Sequence, residues 1–431
     1  MELYLIILIS LGSLLGLIIL VIVLLYLICS LINPTKGDPE LIDNKTGFFK
    51  AYKTSLYDGN GKKIILKGVN LGNWFVQEPW MTVSAINGSF NNMFGYTQRK
   101  AIEAFKNNPN LDNKQIEELK NLYLDTFIKE DDFKTIKELG FNVIRINFTC
   151  YNLTIDGYQI NDEAFNKLDW AIDMASKYDL YVILDNHGAI GSQNSDNHSG
   201  DDNHYELYGN EKNERATIEL WKYIATRYKD NKTIIIYDLL NEPRKAVNKF
   251  CGKKQFDFYD SLYKEIRNID SNHILMMECF TFPNHGVNPN KYNWDNIIYS
   301  YHIYNLTIFS EKFAINFYRV MHNLLRYKVP IVIGEFSCWD NKKEWYHAIN
   351  SFNKLGWSYL VWTYKANKYF YINKENKIFP FKMWGLFESN IKPIDIDKAT
   401  YEQIKETYLK IETKYCEKTL IYEIYESVKE K

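Results

Sequence analysis

A chain of 431 residues, 46% of them hydrophobic, is long enough for one large barrel-type domain and apolar enough to fill its core. Its net charge of −1 lacks the basic balance on which nucleic-acid binders rely, so no nucleic-acid partner is expected. The six cysteines (Cys29, Cys150, Cys251, Cys279, Cys338 and Cys416) contain no C-x-x-C pair, which argues against a structural zinc site, and no metal or cofactor is expected. Their wide, irregular spacing assigns no disulfide and leaves the redox compartment open. Aromatic residues make up 16% of the chain, with 33 Tyr and 10 Trp. That richness suits a sugar cleft, where pyranose C–H faces stack on rings, and it equally fits an AT-rich coding sequence.

In chain order, the first feature is a run without charge from Leu3 to Thr35. About 20 apolar residues suffice to span a bilayer as a helix. The start, Met1-Glu2, has no basic residue and no A-x-A site follows, unlike a cleaved signal peptide. Residues 1–33 are therefore expected to be an uncleaved single-pass membrane anchor. Lys36 and Lys45 follow it and no Lys or Arg precedes it, which by the positive-inside rule leans towards a cytoplasmic domain; long domains largely escape that rule. A sugar substrate points to the extracellular or luminal side, the expected location. Residues 34–47, opening on Pro34-Thr35-Lys36-Gly37-Asp38-Pro39, read as a linker.

Residues 48–68 look like a hairpin turning at Asp58-Gly59-Asn60-Gly61. Those four residues also resemble the start of a calcium loop, but Val69 stands where the closing Glu is needed. Short apolar runs then alternate with helical patterns. Strands are expected at 68–71, 143–147, 181–185, 234–240, 274–278, 297–302, 331–335 and 359–362. Helices are expected at 131–139, 162–177, 211–227, 255–269, 311–326, 342–354 and 397–413. Ile234-Ile235-Ile236 and Ile331-Val332-Ile333 have the continuous apolar character of parallel strands buried on both faces. Eight such strands with intervening helices predict an α/β fold, a TIM (β/α)8 barrel spanning 48–413. No G-x-G-x-x-G follows any strand, against a doubly wound sheet. Residues 414–431 read as a charged helical tail.

Active sites of this barrel lie at the C-terminal ends of the strands. The runs here end in Arg145, His187, Asn241-Glu242, His302-Ile303-Tyr304, Glu335 and Trp362. Strands four and seven face each other across a barrel, so Glu242 and Glu335 can form the close carboxyl pair of a retaining glycosidase. Such carboxyls need different pKa values. Arg145 and Tyr304 beside Glu335 would keep it ionised as the nucleophile, and His302 beside Glu242 would tune the acid/base. Asn241 is placed for the sugar 2-OH and Trp362 for the floor of the subsite. Glu278, at the end of the fifth run, reads more readily as a polar group of the barrel core. The cluster Asp196-Asn197-His198-Ser199-Gly200-Asp201-Asp202-Asn203-His204 reads as an extended loop rather than a metal site. Trp384 with Phe387 forms either a distal sugar wall or packing.

This order of residues resembles glycoside hydrolase family 5, the cellulase-like retaining family. Lys67-Gly68-Val69-Asn70-Leu71-Gly72-Asn73-Trp74-Phe75-Val76-Gln77-Glu78-Pro79-Trp80 is similar to the opening motif of its exo-β-1,3-glucanase branch. So is His187-Gly188-Ala189-Ile190-Gly191-Ser192-Gln193-Asn194 to that branch's H-G-A-P-G-S-Q-N loop, and Phe127-Ile128-x-Glu130-x-Asp132-Phe133 fits the same branch. The resemblance implies that Glu78, with Arg145, His187, Asn241, His302, Tyr304 and Trp362, contacts substrate, and that Glu242 and Glu335 are catalytic. Asn73 and Ile190 replace the usual Gly and Pro, Thr363-Tyr364-Lys365 departs from the fungal pattern, and Ser195-Asp196 replaces a common aromatic entrance residue. The expected function is a monomeric retaining β-glucan hydrolase, most simply an exo-β-1,3-glucanase acting on β-linked oligo- or polysaccharide. A glycolipid β-glycosidase is the alternative, and a membrane-displayed carbohydrate-binding pseudoenzyme the lesser one.

Overall fold

The computed structural model describes residues 2–33, 35–88, 95–201, 205–243, 253–278, 288–304, 311–325, 327–369 and 383–428, without the side chains of 2–14, 29, 253, 254, 311 and 325. Eight parallel strands close into a barrel. They are β1 (Lys67–Asn70), β2 (Val143–Thr149), β3 (Tyr181–Gly188), β4 (Ile234–Asp238), β5 (Ile274–Glu278), β6 (Ile297–Tyr304), β7 (Ile331–Ser337) and β8 (Ser358–Val361). All eight expected runs are barrel strands. β2, β3, β6 and β7 extend two or three residues beyond the apolar runs, because their ends stay paired in the ladder: Phe148 faces Asn186, Thr149 faces Gly188, Ile303 faces Phe336 and Tyr304 faces Ser337.

The inward side chains Val143, Ile183, Ile236, Ile298, Val332 and Leu360 form a core that Phe49, Leu56 and Leu66 complete. Phe49 and Leu56 come from the expected N-terminal hairpin region. There Lys50–Tyr52, Ser55–Tyr57 and Lys63–Ile64 form a three-stranded antiparallel sheet that caps the N-terminal end of the barrel. Its turn is held by Asp58, whose Oδ1 accepts from the N–H groups of Asn60 and Lys62, each at 2.9 Å.

The expected helices are present at Glu130–Glu138, Phe165–Lys177, Glu211–Tyr228, Lys253–Arg267, Glu311–Leu325, Lys342–Leu355 and Tyr401–Leu409; Arg326, expected in the fifth, lies outside the described residues. The last helix is much shorter than its expected span, because Thr400 caps it with a reciprocal Gln403 box. Two helices with no counterpart in the sequence reading, Gln98–Asn107 and Asn113–Phe127, follow β1. The second opens with an Asp112/Gln115 capping box and buries Ile116, Leu119, Tyr123 and Phe127, a regular helical face. Within the 414–431 tail, Leu420–Val428 is a helix burying Ile421, Tyr422, Ile424 and Tyr425, with Tyr425 against Phe141 and Trp345.

The N-terminal segment is helical over Glu2–Leu31, 30 residues. Among the described residues no helix is long and apolar enough to cross a membrane, so the expected transmembrane span is not established by the fold. Leu15, Ile22 and Leu31 are exposed. The end of this segment touches the barrel: Asn33 Nδ2 donates to Lys354 O at 3.0 Å and Thr35 Oγ1 to Leu355 O at 2.9 Å. Cys150, Cys338 and Cys416 are free thiols; Cys251, Cys279 and the side chain of Cys29 lie outside the described residues.

Candidate active site

The polar residues expected at the strand ends meet at the C-terminal mouth of the barrel, and Arg145 is their hub. Its side chain is fully buried on β2. Nε and Nη2 donate to Asp238 Oδ2 at 2.9 and 2.7 Å. Nη1 donates to Asn70 Oδ1 at 3.0 Å and to Glu335 Oε1 at 2.9 Å. Nη2 also lies 2.9 Å from Asn241 Oδ1, 3.0 Å from Glu278 Oε1 and 3.0 Å from Asp185 Oδ1. The planar guanidinium cannot rotate its donors independently, so it fixes the ends of β2, β3, β4, β5 and β7 relative to one another. One positive charge does not match four carboxyls. Burial pushes Asp238 well above the ordinary carboxyl range despite the pull of Arg145. Burial also pushes Asp185 up, but the charges of Arg145 and His187 outweigh it and hold Asp185 low.

Glu335 sits on β7 opposite His302 on β6, where the register slips by a residue between Tyr301 and His302. Gly334 permits this close approach, since a Cβ there would stand 2.3 Å from Ser300 Oγ and 2.9 Å from His302 Nε2. Glu335 Oε1 takes the Arg145 bond, and Oε2 accepts from the Tyr304 hydroxyl at 2.5 Å. Burial and the charge of Glu335 hold the Tyr304 phenol well above its ordinary range, so it stays a donor.

Glu242 follows β4 in a left-handed conformation, φ +45°, which a non-glycine residue adopts only where its surroundings impose it. The imposing group is Glu278, whose Oε2 accepts from the Glu242 N–H at 2.5 Å. Glu278 Oε1 also lies 3.0 Å from His302 Nε2. Glu278 is thus buried, as a core polar group would be, and at the same time holds three members of the site. Its position at a strand end, in register with the others, was the available signal. Glu242 Oε1 accepts from His302 Nδ1 at 2.7 Å, and Glu242 Oε2 lies 3.2 Å from His198 Nε2. One oxygen each of Glu242 and Glu335 and a ring nitrogen of His302 lie within 4.8 Å of one another.

Burial disfavours charge on His302, but Glu278, Glu335 and the Glu242 hydrogen bond outweigh it and hold the imidazole protonated. Burial likewise pushes Glu242 up, and the hydrogen bonds and charges of His198 and His302 reverse this and hold it well below the ordinary range.

Around this pair, His187 Nδ1 meets Asp185 Oδ2 at 2.7 Å, and its ring stacks on Trp362 with centroids 5.5 Å apart. Trp362 belongs to an aromatic basin with Trp80, Trp339, Trp384 and Tyr304. Trp384 therefore lies in the site, whereas Phe387 packs on Tyr364 and Tyr422. Glu78 is 2% exposed, and its Oε1 has no hydrogen-bond partner. Burial, with the negative charges of Glu335 and Glu242, raises it to about 8 against the opposing charge of His198. Asn73 has φ +62°, a conformation natural to glycine and tolerated by asparagine, so this departure keeps the turn that presents Glu78. Lys365 points away from the cleft and donates to Phe127 O and to Ile411 O.

His198, Trp80 and Trp339 carried no individual signal in the sequence reading. Of the polar loop, Asp201 pairs with Arg99 at 2.9 Å while His198 turns to Glu242; residues 202–204 lie outside the described residues.

Two carboxyl groups facing one another at the C-terminal mouth of a (β/α)8 barrel, beside an aromatic basin, define a site of glycosidase type. Residues 102–368 match the family model Cellulase (glycosyl hydrolase family 5), more than half of the chain, and the chain belongs to that family. It is 28% identical over 270 residues to a protein of Phanerodontia chrysosporium named "Beta-xylosidase", covering 60% of this chain and 52% of that protein. It is 31% identical over 277 residues to the "Sporulation-specific glucan 1,3-beta-glucosidase" of Saccharomyces cerevisiae, covering 61% of each. The chain thus spans between half and two thirds of the length of these relatives. The rutinosidase of Aspergillus niger shares the fold at a TM-score of 0.56 and 15% identity, over 80% of this chain and 98% of that one.

Proposed function

We propose that this protein hydrolyses β-glucans with retention of configuration, with Glu335 as nucleophile and Glu242 as general acid/base. The observation that carries the reading is the inequality of the partners of the two carboxyls. Glu335 is bound by a guanidinium, which is always charged, and by a phenol. Glu242 is bound by two imidazoles, which, unlike a guanidinium, can release a proton. A nucleophile must stay ionised, whereas an acid/base must exchange its proton. The separation of under 4.8 Å between oxygens of the pair supports direct attack, since inverting enzymes hold their carboxyls roughly 6.5–9.5 Å apart to admit a water.

In the first step Glu335 attacks the anomeric carbon while Glu242 protonates the departing oxygen. In the second, Glu242 takes a proton from the water that releases the sugar. Asn241 Oδ1 is held by Arg145, which directs its amide nitrogen to the sugar 2-OH, and Trp362 with the aromatic basin receives the pyranose faces. The protonated Glu78 acts as a hydrogen-bond donor to the terminal glucose. The names of the yeast and other glucan 1,3-beta-glucosidases among the relatives support β-1,3-glucan cleaved from the chain end.

The N-terminal helix, charged only at Glu2 and with Leu, Ile and Val exposed along it from Leu15, supports a single-pass anchor, and a sugar substrate favours the barrel on the extracellular or luminal side. It also favours a membrane-borne glucoside as a second substrate class.

The test is incubation of the protein with laminarin oligosaccharides, following product size and anomeric form. Release of β-glucose from chain ends is expected. Glu335→Ala should lose at least about a thousandfold in rate, roughly 4 kcal/mol of transition-state stabilisation, and azide should restore part of the activity of Glu242→Ala on an activated aryl β-glucoside, whose leaving group needs no proton, by giving the β-glycosyl azide. Normal rates in both variants would overturn the assignment. Cleavage of glucosylceramide in preference to laminarin would move the substrate to the lipid.

A further inference from the structure

The oxygen of Glu242 that must meet a leaving group is already occupied. Oε1 is taken by His302 at 2.7 Å, so the proton has to leave from Oε2, and His198 Nε2 stands 3.2 Å from Oε2. We propose that His198 is a positioning residue that shares one proton with Glu242 and returns it to Oε2 when the glycosidic oxygen arrives, an inference that rests on the acid/base role assigned above.

Three features of the loop place His198 there. Gly188 lets the chain fold back over the end of β3, because a Cβ at that position would stand 2.1 Å from Ser199 O. Ser199 Oγ then hydrogen-bonds Ser192 Oγ at 2.6 Å, closing the loop on itself. Asn194, from the same loop, donates its Nδ2 to Glu242 O at 3.0 Å and accepts the Asp196 N–H on Oδ1 at 2.9 Å, so the orientation of its amide is fixed.

That amide gives Nε2 a partner in either protonation state. Asn194 Nδ2 lies 3.0 Å from His198 Nε2, and an unprotonated Nε2 accepts from it. A protonated Nε2 donates to Glu242 Oε2. A ring that serves only as a prop needs one of these partners; a ring that alternates between two charge states needs both.

The described groups facing the ring are Glu242 from the end of β4, Asp196 from its own loop, Glu78 from the loop after β1, and His187 from β3, whose ring centroid is 5.8 Å away. Burial disfavours the imidazolium, but the hydrogen bond and charge of Glu242, with Asp196 and Glu78, raise His198 to about 9. The resting pair is therefore imidazolium and carboxylate.

The proton is conserved through the cycle. As the leaving oxygen approaches, the Nε2–H bond of His198 breaks and an Oε2–H bond forms on Glu242, leaving a neutral imidazole. The Oε2–H bond then breaks as the proton joins the departing oxygen, while the C–O bond breaks and Glu335 bonds to the anomeric carbon. In the second step a water adds to that carbon, its proton goes to Oε2, and from there it returns to Nε2.

His198→Asn keeps a hydrogen-bond donor but cannot hold the proton. The basic limb of kcat/KM for laminarin oligosaccharides should move down by at least about two pH units, with a loss of roughly tenfold or more at pH about 8 and little change at pH about 5. With 2,4-dinitrophenyl β-glucoside, whose leaving group needs no proton, kcat/KM should stay within about twofold of wild type. In the wild-type protein, 15N-histidine NMR should show the assigned His198 imidazole protonated at pH about 8 and neutral there in Glu242→Gln.

An unmoved basic limb in His198→Asn, or an equal loss on both substrates, overturns the role of His198. A wild-type His198 imidazole already neutral at pH about 7 does so even if the variant fails to fold. Failure of the underlying reading looks different: Glu242→Gln would then lose no more on laminarin than on the dinitrophenyl glucoside.

Discussion

Glu78 offers the most quantitative check on the electrostatics of the site. It is 2% exposed with one unpartnered oxygen, and its pKa rises from 4.5 to about 8 on folding, chiefly through burial. The folded protein therefore binds this proton more tightly than the unfolded chain does. Stability contributed at low pH is lost as pH climbs from 4.5 to about 8, and the loss is complete above that. Each pKa unit is worth about 1.4 kcal/mol, so the full effect is about 5 kcal/mol, a large part of the roughly 5–15 kcal/mol that holds a domain folded. Glu78→Gln keeps the shape and the donor and removes the titration. Urea unfolding of both proteins between pH 5 and 8.5, with the two midpoints subtracted, isolates this one group. The curves should nearly coincide at pH 5 and diverge until the variant is more stable by about 3–5 kcal/mol at pH 8. Parallel curves across the range would refute the reasoning, because they would mean that Glu78 is ionised, or wet, at all these pH values.

Two further changes probe the hub. Arg145→Lys keeps the charge but cannot span Asp238, Asn70, Glu335, Asn241 and Glu278, and leaving buried carboxyls unmatched should cost about 3–5 kcal/mol in urea melts. Tyr304→Phe removes the 2.5 Å bond to Glu335 Oε2; a hydrogen bond to a charged group is worth about 1.5–3 kcal/mol, so kcat should fall about 10–100-fold with the thermal midpoint nearly unchanged.

The barrel was legible because buried parallel strands have no polar face: Ile234-Ile235-Ile236 or Ile331-Val332-Ile333 can be little else. Arg145, His187, Asn241, Glu242, His302, Tyr304, Glu335 and Trp362 were legible because a polar side chain ending such a run has only the mouth of the barrel to enter. The same logic stops where a residue enters from a loop. His198 reaches Glu242 because of a chain reversal at Gly188, and the spacing of polar residues in 196–204 reads as an extended loop without singling out His198. Glu278 was visible, yet its two roles as buried polar group and as site residue do not exclude one another. The helices 98–107 and 113–127 were missed because attention to strand ends passes over a long β1–β2 excursion whose own signals, the Thr97 and Asp112 caps, are local. The burial of the tail was not legible because its charges hide the apolar face of Ile421, Ile424 and Tyr425.

The cluster around Arg145 is not an economical way to stabilise a barrel. Burying four carboxyls against one guanidinium incurs desolvation that their mutual attraction recovers only in part, and the shift of Asp238 towards its neutral form is the sign that it does not recover all. An apolar layer like the one below it, Val143 to Leu360, would pack without that penalty. What the ionic layer supplies is direction. Each N–H of Arg145 admits one geometry, so Glu335, Asn241 and Glu278 are held by a rigid group rather than by their own rotamers. Glu278 passes the constraint on to the backbone of Glu242 and to His302. The two carboxyls of the pair are thereby fixed from one buried centre, one through its side chain and the other through its main chain, leaving the Glu242 side chain alone able to exchange partners.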